Sequence, residues 1–191
     1  MQLILSSTSP ARKKLLQRLP INFSISAPNI DETPLPRESV SQLVKRLSEA
    51  KARKIAADFP QALIIGSDQA VELKGQIFGK PLNHATAVQQ LQMMSGQAVN
   101  FVTGLCLLNT TTDQAYTISE PFTVIFRELS LDMIERYLNL EKPYNCAGSF
   151  KSEGAGIALC ERFIGRDPTA LEGLPLMQLC RLLAQENLVV I

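Results

Sequence analysis

The chain has 191 residues, 46% hydrophobic and 19% charged, ordinary proportions for a globular protein and enough length to bury a core without staples. A formal net charge of +1 gives no broad field to attract nucleic acid or an anionic membrane. One histidine and four scattered cysteines without a Cys-x-x-Cys argue against a histidine triad and a zinc site, leaving acid–base work to carboxylates and lysines. No apolar run approaches the roughly 20 residues that span a bilayer. The opening Met-Gln-Leu-Ile-Leu lacks the basic segment of a signal peptide, so a cytoplasmic protein with reduced thiols is expected.

Leu3-Ile4-Leu5 reads as a short strand. It runs into Ser6-Ser7-Thr8-Ser9-Pro10, where Ser9 suits an N-cap and Pro10 the first helical position. Leu15, Leu16 and Leu19 supply the apolar face of that helix. Hydroxyls, free helix N–H groups, Arg12 and Lys13 are concentrated at this join, a combination that favours a bound phosphate. Residues 22–27 alternate like a second strand. In residues 28–36 prolines hold Asp31 and Glu32 extended, either as a solvated turn or as half of a metal site.

Ser39 and Gln42 form a capping-box pattern that opens a helix over residues 40–59. Its stripe is Val40, Leu43, Val44, Leu47 and Ile55. Lys51, four residues from both Leu47 and Ile55, falls inside that stripe, while Lys45, Arg46, Arg53 and Lys54 mostly take other faces. Lys51 is therefore either a snorkelling lysine or an ammonium turned toward a cleft.

Residues 62–65 read as a short buried strand that ends in Gly66-Ser67-Asp68-Gln69, a turn taken alone. The acid stands where α/β sheets bind ligands, outside the carboxyl end of a strand. Ala70–Leu73 and Gln76–Phe78 form a hairpin around Lys74-Gly75. Gly79-Lys80-Pro81 lacks Walker spacing, so Lys80 is a turn lysine or a phosphate ligand.

Asn83 caps a helix bearing Ala87, Val88, Leu91 and Met94, ended by Gly96. Residues 98–109 and 114–129 look like a long β-ribbon belonging to a second lobe. Ser130 caps a helix to about Leu140. Residues 144–156 combine three glycines with Ser149, Lys151 and Glu153, a composition that can lay backbone N–H groups on an anion. A strand over 157–160, a turn at 165–168, a last amphipathic helix with Leu176, Leu179, Leu182 and Leu183, and a strand over 188–191 complete the expected elements.

Together Ser7-Thr8-Ser9-Pro10 with Arg12, Asp31-Glu32, Glu49-Ala50-Lys51, Gly66-Ser67-Asp68, Gly79-Lys80-Pro81, Gly148-Ser149 and Gly173-Leu174-Pro175 resemble the Maf family of nucleotide pyrophosphatases, in its order and spacing over nearly the whole chain. Gly66 to Gln69, Cys146 to Gly154 and Gly165 to Pro168 resemble its branch acting on 7-methyl-GTP. The branch acting on dTTP and UTP would be expected to carry Asp-Thr where this chain has Asp68-Gln69. One position departs: Ala11 stands where the family often has an arginine or an aromatic, at a place that bears on base selection.

The resemblance implies one ITPase-like α/β domain over 1–191, with an elongated mixed sheet and two lobes around a central cleft. It also implies cleavage between the α- and β-phosphates with Mg²⁺ or Mn²⁺. On that reading Ser7, Ser9, Arg12, Lys51, Lys80, Ser149 and Lys151 bind the nucleotide's phosphates. Glu32 and Asp68 hold the metal, with Asp68 as proton acceptor or mainly as metal ligand. Ala11, Gln69 and Glu153 select the base, the negative charge of Glu153 suiting a cationic methylated guanine. The expected partner is a small nucleotide, with a second copy of the chain possible. Pyrophosphatase action on other nucleotides, or a non-catalytic nucleotide sensor in cell-division control, are the alternatives.

Overall fold

The computed structural model describes residues 1–191. In chain order the elements are β1 (Gln2–Ser6), α1 (Pro10–Leu16), β2 (Ser24–Ser26), α2 (Val40–Lys54), β3 (Ala62–Leu73), β4 (Gln76–Phe78), α3 (His84–Met94), β5 (Ala98–Asn109), β6 (Gln114–Phe126), α4 (Leu131–Glu141), β7 (Cys160–Gly165), α5 (Pro168–Leu171) and α6 (Leu176–Gln185). The α/β class expected from the sequence is the one that forms. Seven strands make an open mixed sheet in the order β2-β1-β3-β5-β6-β7, with β4 paired to β3. β1 runs parallel to β2 and β3, whereas β4 and β7 pair antiparallel with β3 and β6. No helix is long and apolar enough to cross a membrane.

The chain divides into two compact units. The first holds residues 1–69, 103–120 and 167–191. Strands covered on both faces read as continuous apolar runs, and successive side chains pass to opposite sides. Leu3, Leu5, Leu63, Ile65, Leu105 and Leu107 accordingly pack with Leu15 and Leu16 of α1 and with Leu176, Leu179, Leu182 and Leu183 of α6. Ile4, Ala62, Ile64, Cys106 and Leu108 form the opposite cluster, with Ala52 and Ile55.

Two glycines bring α2 close to this second face. A Cβ at Gly66 would run into the Ser48 carbonyl oxygen, and one at Gly104 into that of Val44. The α2 backbone thus lies directly on the sheet, with no side chain interposed.

The second unit holds residues 70–102 and 121–166. Its hairpin turn uses Lys74 and Gly75 at φ of 52° and 81°, the backbone a tight two-residue loop requires. Phe150 lies 5.4 Å from Phe101 and 5.2 Å from Phe126 between ring centroids, which ties the 144–156 segment into the apolar core.

Several expectations are corrected. β3 does not stop in a Gly-Ser-Asp turn but continues to Leu73. α2 ends at Lys54, and a 3₁₀ turn, Ala56–Asp58, follows it. β2 has three residues where six alternate in the sequence. Residues 155–159 form a 3₁₀ helix, so the strand expected at 157–160 begins only at Cys160. Asp167 caps the short helix α5 where a turn was expected. Residues 188–191 form no strand; Leu188 and Val190 lie against the first apolar cluster, so their alternation reflects packing on a core without a ladder.

Candidate active site

β3 supplies the organising geometry of the first unit. Its even-numbered residues Ala62, Ile64, Gly66 and Asp68 share the face on which α2 lies, by the two-residue period of a strand. The odd-numbered Leu63, Ile65, Ser67 and Gln69 share the other. Polar residues that look like a turn in sequence are accommodated inside a strand because each face offers them partners.

On the α2 face, Lys51 Nζ donates to Asp68 Oδ1 at 2.5 Å and lies 2.7 Å from Glu32 Oε1. The Lys51 and Asp68 side chains are 6% and 10% exposed, whereas Glu32 is 43% exposed. The lysine is therefore buried and paired, not snorkelling to bulk water. Its main chain is pinned as well, since Ser6 Oγ donates to the Lys51 carbonyl at 2.6 Å.

Glu32 sits on a loop that α2 and its approach hold in place. Arg46 reaches Thr33 O through Nη2 and Glu38 Oε1 through Nε, and Glu38 Oε2 accepts from Leu35 N–H. Asp31 is turned inward on its own loop, where its carboxylate accepts from the N–H and hydroxyl of Thr33. Those bonds, the side-chain one first, hold the Asp31 carboxyl below its ordinary pKa.

At the β1–α1 join, Ser9 is the N-cap and accepts from Arg12 N–H, while Ser7 Oγ accepts from Ser9 N–H. Pro10 occupies the first turn, and half-buried Ala11 follows it. Arg12 Nε donates to Gly173 O at 2.8 Å. Burial draws the Arg12 guanidinium below its ordinary pKa, opposed by the negative charges of Asp68 and Glu32. Two cations and two carboxylates therefore lie within electrostatic reach of one another.

The other face of β3 builds the turn that receives Arg12. Ser67 Oγ reaches Gly173 O at 2.9 Å and Gly104 O at 2.8 Å. Gln69 Nε2 donates toward Thr103 Oγ1 and the carbonyls of Ala170 and Leu171, and Thr103 Oγ1 also reaches Ala170 O. Asp167 accepts from the N–H and hydroxyl of Thr169 and from Met177 N–H. Gly173 itself adopts φ 100°, a conformation glycine takes readily.

The second unit gathers the remaining candidates around residues 144–156. Ser149 is wholly buried, and its hydroxyl donates to Gln90 Oε1 at 2.6 Å. Gln90 Nε2 turns to Gly79 O, which also accepts from Gly148 N–H; this fixes the residue that precedes exposed Lys80. Tyr137 O–H donates to Ser149 O and accepts from Lys151 N–H. Glu141 takes Lys151 Nζ at 2.8 Å and Ala155 N–H at 2.6 Å. Exposed Glu153, with Glu141, Lys151 and Lys80, acts electrostatically on Cys146, whose thiol is pushed up chiefly by burial.

Ser7, Ser9, Arg12, Glu32, Lys51, Asp68 and Gln69 thus fall in the first unit, and Lys80, Ser149, Lys151 and Glu153 in the second. Sequence reading missed the residues that hold them: Arg46 and Glu38, Ser67 and Thr103, Asp167, Gln90, Tyr137 and Glu141. Gln90 had a signal, being a polar residue between Ala87 and Met94 on an apolar helix face, the same pattern that singled out Lys51.

No three His, Cys, Asp or Glu side chains cluster as a metal cage. Two carboxylates gathered on one cation are nevertheless the donor set that suits Mg²⁺, which takes one or two carboxylates and completes its shell with water and phosphate oxygens. Glu32 and Asp68 fit that description.

The profile of the family described as Maf-like protein matches residues 2–186. The 7-methyl-GTP pyrophosphatase of Nitrosococcus oceani is 56% identical over 183 residues, 96% of this chain and 92% of that protein. Since the match runs from β1 to beyond α6, the chain belongs to the Maf family.

Proposed function

We propose that this chain is a nucleoside triphosphate pyrophosphatase that converts 7-methyl-GTP to 7-methyl-GMP and pyrophosphate with Mg²⁺ or Mn²⁺. The observation that carries the reading is the buried Lys51 ammonium between Glu32 and Asp68 with Arg12 in range. It is joined by the relative's printed activity. Attack on a phosphate needs cations for the anion and a carboxylate for the water.

In the proposed mechanism Arg12 and Lys51 bind phosphate oxygens, with Ser7 and Ser9 shaping the loop beside them. Asp68 accepts the proton of the attacking water as its oxygen bonds to the α-phosphorus and the bridging oxygen leaves with pyrophosphate. Glu32 and Asp68 would hold the divalent cation, which when bound would supply neutralisation of phosphate charge. Lys80, Ser149 and Lys151 are proposed as further phosphate-side residues, and Ala11, Gln69 and Glu153 as base-selecting ones. With its amide nitrogen committed to the 170–171 turn, Gln69 contributes by shaping that turn.

The test is pyrophosphate release from a panel of methylated, unmodified and pyrimidine nucleoside triphosphates, with Mg²⁺ or Mn²⁺ and with chelator. Metal-dependent release fastest from 7-methyl-GTP is expected. Preference for dTTP or UTP would move the chain to the other branch, and nucleotide binding without release would make it a sensor.

A further inference from the structure

We propose that Lys51 is a displaceable counter-ion: its ammonium holds Glu32 and Asp68 together until a divalent cation takes them over, and it then turns to the polyphosphate. The inference deepens the proposed function and rests on it for the identity of the polyphosphate.

The geometry points this way because the ammonium lies where the carboxylate oxygens converge, 2.5 Å from Asp68 and 2.7 Å from Glu32. Like charges gathered this closely repel unless a cation lies between them. Lysine suits the task because it is a point charge on a flexible four-carbon stem, whereas arginine would fix a planar fork.

The exchange asks for movement of side chains and not of the backbone that carries them. The Lys51 main chain is held by Ser6 and by α2 packed on Gly66, so redirection of the ammonium falls to its flexible four-carbon stem. Glu32, the more exposed partner, stands on a loop anchored through Thr33 and Leu35.

Charge balance makes the exchange cooperative. Arg12 and Lys51 offset Glu32 and Asp68, and Arg46, which also feels Asp68, is matched by Glu38. The resting cluster is therefore close to neutral and attracts neither a bare cation nor a bare polyanion strongly. A cation on the carboxylates frees the ammonium for phosphate, and phosphate on the ammonium frees the carboxylates for the cation. By linkage each then tightens the other. A static structural salt bridge would instead oppose both.

The test is Mn²⁺ binding without nucleotide, measured by titration calorimetry on wild type and on Lys51→Met, with folding checked by circular dichroism. Removal of the competing ammonium should tighten Mn²⁺ binding by roughly tenfold, the size of an ordinary coupling between linked sites. Unchanged or weaker binding in folded Lys51→Met overturns the proposal.

A second reading uses wild type alone: saturating Mg²⁺ should shift the nitrogen resonance of the buried lysine ammonium as it leaves its carboxylates, and an unmoved signal overturns the proposal even if the variant does not fold. Neither readout involves turnover. A chain that passes both but releases no pyrophosphate would sink the proposed function alone, while an active chain that fails them would sink this inference alone.

Discussion

The two units hold their candidate residues by different means. In the first, Asp68, Lys51 and Arg12 ride on β3, α2 and α1, and the period of a strand and the pitch of a helix decide where they point. In the second, Ser149, Lys151 and Glu153 stand on an irregular stretch after α4, with Gln90, Tyr137 and Glu141 of α3 and α4 gripping its backbone. Position set by regular elements resists perturbation. Position set by a few side-chain hydrogen bonds is lost when one of them goes.

The sharpest way to break the comparison is Asp68→Asn, which should lower turnover on the order of a thousandfold while the variant still folds. Near-normal pyrophosphate release would remove Asp68 from the chemistry. Next comes Gly66→Ala, which forces a methyl into the Ser48 carbonyl and should cost about 3 kcal/mol of stability. It is read as an earlier melting transition with activity lost through displaced Lys51, and an unchanged melt would show that α2 can shift freely.

In the second unit Glu141→Gln should raise KM for the nucleotide roughly tenfold through a loosened 144–156 segment, with kcat less affected. An equal fall in kcat and kcat/KM would place the residue in the chemistry instead. The smallest effect is expected from Glu153→Gln, which should reduce the preference for 7-methyl-GTP over GTP by several-fold; an unaltered ratio would discard charge matching with the base.

Acid provides a variant-free version of the same contrast. The backbone hydrogen bond from Ala155, followed by Lys151, holds the Glu141 carboxyl below its ordinary value of 4.5. A depressed folded pKa means the stabilisation is present above the unfolded value and is lost as pH falls through the folded one. Protection against hydrogen exchange in residues 151–155, taken relative to the unstructured chain at the same pH, should therefore begin to fall below about pH 4.5. Protection unchanged down to the global acid transition would show that Glu141 does not hold the segment.

What could be read in the sequence follows the same division. Lys51 stood out because an ammonium interrupts an apolar helical stripe, and the capped starts of α1 to α4 are local chemistry that the chain spells out. The length of β3 was not legible. Gly66-Ser67-Asp68-Gln69 has turn composition, and only partners brought from residues 48–51, 103–104 and 170–173 make it strand. The segment at 155–159 is opaque for a related reason: a short apolar run preceded by glycines says little about period, and its conformation is tied to the distant Glu141.

The approach of α2 to the sheet at Gly66 and Gly104 also bears on how this protein can drift in sequence. Where a helix rests on side chains, each core exchange changes the thickness of that cushion and moves whatever the helix carries. Here carbonyl oxygens meet glycine backbone, so the standoff is set by atoms common to every amino acid. Exchange of Leu43 or Leu47 for another apolar residue of similar size is therefore expected to leave the reach from Lys51 to Asp68 unchanged. The tolerance of the core and the exactness of the charge cluster are thus separated by two missing methyl groups.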